Sequence, residues 1–255
     1  MNRLPPLDVH AHIHPKIDAS QLALINGVVF AATRSLDEAA EALTRSDRLI
    51  AWGVGCHPGV PEAQRGFSAR RFAALLDQTA IAGEIGLDGR SRVPLATQAK
   101  TLRLALGILQ SKPRLASLHS FAATGKLVHE LEGLPSSGFV LHWWLGNEDQ
   151  TRQALSLGCY FSINASSVRR TDVLGMIPLN RVLTETDHPY GDHLGRAPHR
   201  PGGLDDVEAA LARHFDLSHD ALRTQVWRNL DQLVRETRCA GLLPRSIRSL
   251  LAVLS

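Results

Sequence analysis

Short apolar runs alternate with longer amphipathic segments along the chain. The short runs are rich in β-branched residues, which is typical of strands buried in a parallel sheet. The longer segments repeat apolar residues at helical spacing. This alternation predicts βα units around a parallel sheet.

Eight strands and eight helices are predicted in this way. The strands are Leu7–His12, Gly27–Thr33, Leu49–Cys56, Ile81–Leu87, Ala116–Ser120, Phe139–Trp143, Tyr160–Asn164 and Val182–Thr186. The helices are Ser35–Ser46, Ser68–Thr79, Leu95–Ser111, Thr124–Leu131, Glu148–Leu157, Arg169–Met176, Gly203–Phe215 and Ser218–Arg238. The pattern indicates an α/β fold, a (β/α)8 TIM barrel forming a single domain over residues 1–255.

Composition agrees with a globular protein and suggests where in the cell it lies. Of the 255 residues, 44% are hydrophobic and 21% are charged. No long uninterrupted apolar stretch occurs, and the first residues lack the apolar core of a signal peptide, so we expect a cytoplasmic protein. The three cysteines, Cys56, Cys159 and Cys239, are widely spaced and are predicted to be reduced.

The net charge is +3, and arginine supplies nearly all of the positive charge because only four lysines occur. The planar guanidinium group suits phosphate or carboxylate ligands. The balance is therefore compatible with an anionic substrate but does not require one.

Six side chains that can bind metal ions fall at the carboxyl ends of predicted strands. They are His10, His12, Glu84, His119, His142 and Asp187. A barrel brings these ends to one rim, so we expect the six to meet there. Nitrogen and carboxylate ligands without thiolate suit zinc, manganese, iron or magnesium.

Six ligands exceed the needs of one ion, which favours two divalent ions about 3.5–4 Å apart. Glu84 is the predicted bridging carboxylate because its strand lies roughly opposite the first strand. Other two-metal barrels bridge with a carbamylated lysine, but no lysine follows a predicted strand here.

The segment "DVHAHIHP" raises the question of a third histidine ligand, His14. On a strand, His10 and His14 would begin roughly 13 Å apart, too far for both to bind one ion. Since the predicted strand ends at His12 and Pro15 follows His14, we expect His14 to lie in a loop.

The ordered motifs "DVHAH", "GCHPG", "AGEIGLD", "LHSF", "LHWWLG" and "LTETDHPY" resemble the TatD family of metal-dependent deoxyribonucleases, from Asp8 to about Asn229. The resemblance implies a TIM-barrel hydrolase with two divalent ions, Mg²⁺, Mn²⁺ or Zn²⁺. It also implies a nucleic-acid substrate, expected to be DNA, that is often degraded from 3′ to 5′.

The resemblance also implies roles for individual residues. Glu84 and Asp187 are the expected catalytic residues, and Asp187 would orient or deprotonate the attacking water. His57 in "GCHPG" matches a position near the substrate phosphate, and Asn229 matches a structural one. One ion would be held by His10, His12, Glu84 and Asp187, and the other by Glu84, His119 and His142.

The chain also departs from the family pattern. Phe121 stands where an arginine usually follows "LHS", and "HWWLG" replaces "HCFSG". Trp144 in that motif is expected either to stack on bases or to pack in the core. Further substrate contacts are expected from Arg196, His199 and Arg200 after strand eight, and from Arg90 and Arg92 after strand four.

Two alternatives remain open at the level of sequence. The same site could hydrolyse another bond, such as an aminoacyl-tRNA ester, an amide or the amino group of a base, because one fold hosts many chemistries. The chain could also be a weakly active subunit of a larger nucleic-acid-processing assembly.

Overall fold

The computed structural model of the protein describes residues 4–134, 137–193, 195 and 199–254. Within these ranges eight strands and eleven α-helices occur. The strands are β1 Leu7–Ala11, β2 Val28–Ala31, β3 Ile50–Trp52, β4 Ile81–Gly86, β5 Leu115–His119, β6 Phe139–His142, β7 Tyr160–Ile163 and β8 Val182–Thr184. The helices are α1 Ala19–Leu22, α2 Leu36–Ala42, α3 Pro61–Arg65, α4 Ala69–Leu76, α5 Leu95–Ser111, α6 Thr124–Leu131, α7 Glu148–Ser156, α8 Thr171–Leu174, α9 Asp205–His214, α10 His219–Thr237 and α11 Arg245–Ala252.

The strands are parallel and form two arcs, β1 to β3 and β4 to β8. Backbone hydrogen bonds close both seams between the arcs. Cys56 N donates to Glu84 O over 2.8 Å beside β3 and β4, and Asp187 N donates to His10 O over 2.9 Å beside β8 and β1. The predicted (β/α)8 TIM barrel is therefore confirmed.

Every strand is buried along nearly its whole length, which agrees with the continuous apolar runs of a parallel sheet covered by helices. The long helix α10 packs an apolar face against the barrel, with Leu222, Val226 and Leu230 in the core. Its N-terminus is capped by Ser218, whose side chain accepts from Ala221 N. This packing holds the loops at the carboxyl ends of the strands in place.

All eight predicted strands occur, and helices α5 and α6 begin and end where expected. The short helices α1 and α3 and the terminal helix α11 were not predicted. The predicted helix Arg169–Met176 is shorter, because a 3₁₀ turn at Ser167–Arg169 precedes α8.

The three cysteines are free and buried, as predicted for reduced thiols. Burial raises the pKa of the Cys56 and Cys159 thiols to about 12, so neither is poised as a nucleophile. Among the described residues, no helix is long and apolar enough to cross a bilayer.

Candidate active site

The six predicted ligands lie together at the carboxyl rim of the barrel, around the carboxylate of Glu84. Its Oε1 lies 2.5 Å from His119 Nδ1 and 2.8 Å from His142 Nε2. Its Oε2 lies 3.4 Å from His12 Nε2. The two oxygens therefore face different histidines, which is the arrangement needed to bridge two ions.

Asp187 completes the second group of ligands. Its Oδ1 lies 3.5 Å from His10 Nε2 and 3.6 Å from His12 Nε2. These three ligand atoms lie within 4.8 Å of one another, close enough for one ion. His14, by contrast, is exposed and lies beyond β1, as expected for a loop residue.

The orientation of His10 and His12 leaves one nitrogen of each for a ligand. His12 Nδ1 donates to Ala32 O over 3.2 Å, because a carbonyl oxygen can only accept. In neutral His12 the lone pair is therefore on Nε2, which faces the cluster. His10 Nδ1 lies 2.6 Å from Ser117 Oγ, and its Nε2 likewise faces Asp187. Such contacts fix the tautomer and orientation of metal-binding imidazoles.

His119 and His142 also turn one nitrogen towards Glu84, and a carboxylate lies near the other nitrogen of each, beyond hydrogen-bond distance. His119 Nε2 lies 3.9 Å from Asp88 Oδ2 while its Nδ1 faces Glu84. His142 Nδ1 lies 3.9 Å from Glu185 Oε1 while its Nε2 faces Glu84.

The hydrogen bonding of His57 is the reverse of that of His12, because its Nδ1 accepts a hydrogen bond rather than donating one. Gly59 N donates to its Nδ1 over 2.8 Å, and burial lowers the pKa of His57 to about 4, so the ring is neutral near pH 7. The ring proton is therefore on Nε2, which lies 3.4 Å from Glu84 Oε2. His57 is placed to donate a hydrogen bond into the site rather than to bind a metal ion.

Buried polar atoms without partners test whether metal ions fit here. Among the described residues, His10 Nε2, Glu84 Oε2 and Asp187 Oδ1 are buried and have no hydrogen-bond partner. Each such atom costs about 1–3 kcal/mol when it stays unsatisfied. All three face the cluster, so ions held between them would satisfy atoms that the chain itself leaves without partners.

Protonation agrees with this fit. Burial lowers the pKa of His10 well below its usual value, which leaves its lone pair available at neutral pH. Burial also lowers the pKa values of His12 and His142, but Glu84 outweighs this effect and raises both. Metal binding would displace any proton held on the nitrogens that face Glu84.

The pKa values of the two cluster carboxyl groups, Glu84 and Asp187, are shifted in opposite directions. Burial raises the pKa of Glu84, but the surrounding histidines outweigh burial and hold it well below its usual value. Burial raises the pKa of Asp187 to about 8 in the metal-free chain.

Two residues of the site adopt left-handed backbone conformations, Asp187 with φ 47° and Trp143 with φ 40°. Such conformations cost energy in residues other than glycine and cluster at functional sites. Glu185 holds Trp143 by accepting from its backbone N–H over 2.8 Å, and also accepts from Ser162 and Asn164. The sequence analysis did not single out Glu185, although it stands in "LTETDHPY" beside a predicted ligand.

A cavity of about 400 Å³ opens above the ligand cluster. Its described lining includes His57, Arg34 and three aromatic side chains, Phe121, Trp143 and Tyr190. Sites that hold small ligands usually fall between about 300 and 1,000 Å³, so the cavity is large enough for a small ligand.

The structure corrects the expectation that Trp144 contacts substrate. Trp144 is 2% exposed, its Nε1 donates to Thr151 Oγ1, and its ring packs against Phe161. The left-handed turn at Trp143 ends the strand alternation, so Trp143 lines the cavity and Trp144 points into the core.

The remaining expected contacts lie elsewhere. His199 and Arg200 line a second cavity beside Glu185 rather than the one above the ligand cluster. Arg90 and Arg92 are exposed and do not appear in the described lining of the main cavity. Arg196 lies outside the described residues. Asn229 Nδ2 donates to Leu179 O and Val182 O, a structural contact.

Comparison with known families and curated proteins gives consistent matches. The model of the family described as TatD related DNase matches residues 7–235. A 3′-5′ ssDNA/RNA exonuclease TatD from Edwardsiella piscicida is 31% identical over 182 residues, covering 65% of this chain and 69% of that protein. The protein of the same name from Enterobacter lignolyticus is 29% identical over 224 residues, covering 81% and 82%.

Solved structures share the fold. A TatD homologue from Escherichia coli superposes with a TM-score of 0.79 at 23% identity, covering 89% of this chain and 96% of that one. A TatD family hydrolase from Entamoeba histolytica gives a TM-score of 0.73 at 17% identity, covering 91% and 98%.

Proposed function

Because the chain belongs to the TatD-related DNase family, we propose that it is a metal-dependent phosphodiesterase that removes nucleotides from the 3′ end of single-stranded DNA. The membership confirms the family predicted from the six motifs and the nuclease class that it implies. Relatives named as 3′-5′ ssDNA/RNA exonucleases support the strand type and polarity, and they add RNA as a second substrate.

The observation that carries the proposal is the cluster of unsatisfied ligand atoms beneath the cavity. His10, His12, Glu84 and Asp187 would hold one divalent ion, and Glu84, His119 and His142 would hold a second. Mg²⁺, Mn²⁺ and Zn²⁺ are the candidate metals. What the two ions supply when bound is charge stabilisation of the phosphate and a lowered pKa of the attacking water.

The chain's own residues supply orientation and proton transfer. The Asp187 carboxylate, which lies in the cluster beside His10 and His12, accepts a proton from the water that attacks phosphorus. The water oxygen joins phosphorus, the bond from phosphorus to the departing sugar oxygen breaks, and that oxygen takes up a proton. His57 Nε2–H donates to a phosphate oxygen, since its Nδ1 is occupied by Gly59 N.

The test begins with protein treated with a chelator and then supplied with Mg²⁺, Mn²⁺ or Zn²⁺ separately. Single-stranded DNA and RNA labelled at the 5′ end are the substrates, together with an aminoacyl ester and an amide. We expect a ladder of products that shorten from the 3′ end, and only with metal. Glu84→Gln and Asp187→Asn should each lower kcat by at least about 100-fold.

His14→Ala is the matched control, because His14 is an exposed histidine of the same segment and lies outside the cluster. It should keep full activity. Cleavage that survives Glu84→Gln, or an ester or amide preferred over nucleic acid, would contradict the proposal. The cytoplasmic location stays a prediction, and so does the single-domain organisation.

A further inference from the structure

The positive charge that the chain itself contributes to the cavity is concentrated in one side chain. The described lining residues include one arginine and no lysine. That arginine is Arg34, which follows β2 at the carboxyl rim and keeps 45% of its side chain exposed. A substrate phosphate that enters this cavity therefore has one permanent protein cation to contact.

The surroundings of Arg34 fix its position beside the ligand cluster. Its N–H donates to Glu38 Oε2 over 2.9 Å, and its carbonyl accepts from His57 N over 3.0 Å. Its Nη1 donates to the Tyr190 hydroxyl over 3.4 Å, and the Tyr190 ring packs against His12. The guanidinium has five N–H donors, so donors remain for an anion in the cavity.

An aromatic wall faces Arg34 from the other side of the barrel. Phe121 follows β5, Trp143 follows the adjacent strand β6, and both line the same cavity. Phe121 is 45% exposed although it is a large apolar side chain, and Trp143 is half-buried. Flat aromatic faces beside a metal site are suited to stacking on a nucleobase.

Resting on the proposed function, we propose that the cavity is a nucleotide clamp in which Arg34 binds a phosphate of the substrate strand while Phe121 and Trp143 stack on its 3′-terminal base. Five of the six ligand side chains, all but His10, line the same cavity. A paired base would be unavailable for stacking, so the clamp selects unpaired 3′ ends. Since every base has a π face, it tolerates any base.

The base contact is tested with two single-stranded DNA substrates that differ only at the 3′ end, one with a normal nucleotide and one with an abasic sugar. The wild type should prefer the normal end in kcat/KM by roughly 5- to 150-fold. Phe121→Leu, which keeps an apolar side chain, should lose most of that preference because kcat/KM for the normal end falls. Phe121→Tyr should restore it.

Leu104→Ala is the matched control for Phe121, because Leu104 is 44% exposed and lies on α5 away from the cavity. Equal preference for the normal end in wild type and Phe121→Leu would overturn the base contact. A loss of preference in Leu104→Ala as large as that in Phe121→Leu would also overturn the base contact.

The phosphate contact is tested by the salt dependence of kcat/KM. Arg34→Gln should raise KM and reduce the slope of log kcat/KM against log salt by about 0.7, the value for one phosphate contact on a single strand. Arg34→Lys should keep the slope. Arg65→Gln is the control, since Arg65 is a 70% exposed arginine of α3 that pairs with Glu62. An unchanged slope in Arg34→Gln would overturn the contact.

A binding measurement separates failure of the clamp from failure of the proposed function. Fluorescence anisotropy of a 5′-labelled single strand, with the same variants and both 3′ ends, follows binding without cleavage. Binding that depends on Phe121 and Arg34 but leads to no cleavage would contradict the proposed function and support the clamp. Cleavage with unchanged preferences in these variants would contradict the clamp alone.

Discussion

At the scale of single residues, the atom behind each histidine decides its role. His12 and His57 both lie 3.4 Å from Glu84 Oε2 through their Nε2 atoms. Behind His12 is a carbonyl oxygen, and behind His57 is a backbone N–H. One therefore presents a lone pair and the other presents a proton, a difference that no sequence motif reveals.

This argument predicts the effect of removing the group behind His10. Ser117→Ala deletes the hydroxyl that lies 2.6 Å from His10 Nδ1, so the ring loses the contact that orients it. We expect metal affinity to fall about 10- to 100-fold, as is usual for such partners, while the fold is retained. Isothermal titration with Mn²⁺ or Zn²⁺ measures the change.

Ser111→Ala is the control for that measurement, because Ser111 is an exposed serine at the end of α5. It should leave metal affinity unaltered. If Ser117→Ala bound metal as tightly as the wild type, His10 would not owe its orientation to this hydroxyl.

At the scale of elements, one charged network joins three segments of the arc from β1 to β3. Asp47, between α2 and β3, accepts from Trp52 Nε1 and from Arg45 Nε, each over 2.8 Å. Arg45 also donates to Pro15 O over 2.9 Å. The network therefore ties the loop after β1 to β3 and to the end of α2.

The network makes stability depend on pH in a stated direction. Burial raises the pKa of Asp47, but hydrogen bonds from Arg45 and Trp52 outweigh burial and lower it. Because the folded pKa is depressed, the stabilisation is present above the unfolded value of about 3.9 and is lost as pH falls through the folded value.

We therefore expect Asp47→Asn to lower the free energy of unfolding by about 1–2 kcal/mol at neutral pH. The difference between wild type and variant should shrink at acidic pH, below the unfolded value of about 3.9, because the stabilisation is lost as the wild-type carboxylate takes up a proton. Urea unfolding at the two pH values measures it. A difference that stays constant with pH would mean that the loss comes from packing rather than from charge.

Most elements could be predicted from the sequence because apolar runs and helical periodicity mark them directly. Helix α11 was missed although Ile247 and Leu251 have helical spacing after Pro244, a start signal that sequence reasoning could have used. Helices α1 and α3 are one turn long and carry too few periods for recognition. Their positions depend on packing around the barrel.

The metal cluster could be predicted because a barrel brings strand ends together whatever the loops do. Its walls could not. The motif "HWWLG" left Trp144 either at the substrate or in the core, and the left-handed backbone at Trp143 that decides between them has no local sequence signal. Arg34 was missed although it follows a predicted strand, and a search of all strand ends for cations would have found it.

At the scale of the whole molecule, the two arcs of the barrel share the ligands. His10 and His12 lie on or just after β1 in one arc, whereas the other four ligands lie on or after strands of the second arc. An ion held by His10, His12 and Asp187 therefore connects the arcs across a seam. Binding energy at such a site adds directly to stability.

We expect metal loading to raise the melting temperature. At a free metal concentration about 100 times Kd, the stabilisation is about 2.7 kcal/mol. For a chain of this length that corresponds to roughly 5–10 °C. Differential scanning calorimetry of chelated and loaded protein measures it.

His129→Gln should keep this shift, since His129 is an exposed histidine of α6. Glu84→Gln should lose most of it. An equal shift in Glu84→Gln and wild type would place the stabilising ion somewhere other than the cluster.

The division of ligands between the arcs also has a consequence for the nascent polypeptide. His12 leaves the ribosome 175 residues before Asp187, and the two meet only when the β8 and β1 seam closes. With ions bound as we propose, a partly synthesised or half-folded chain lacks the complete cluster. We therefore expect the complete set of ligands to form only after β8 has been synthesised and has paired with β1.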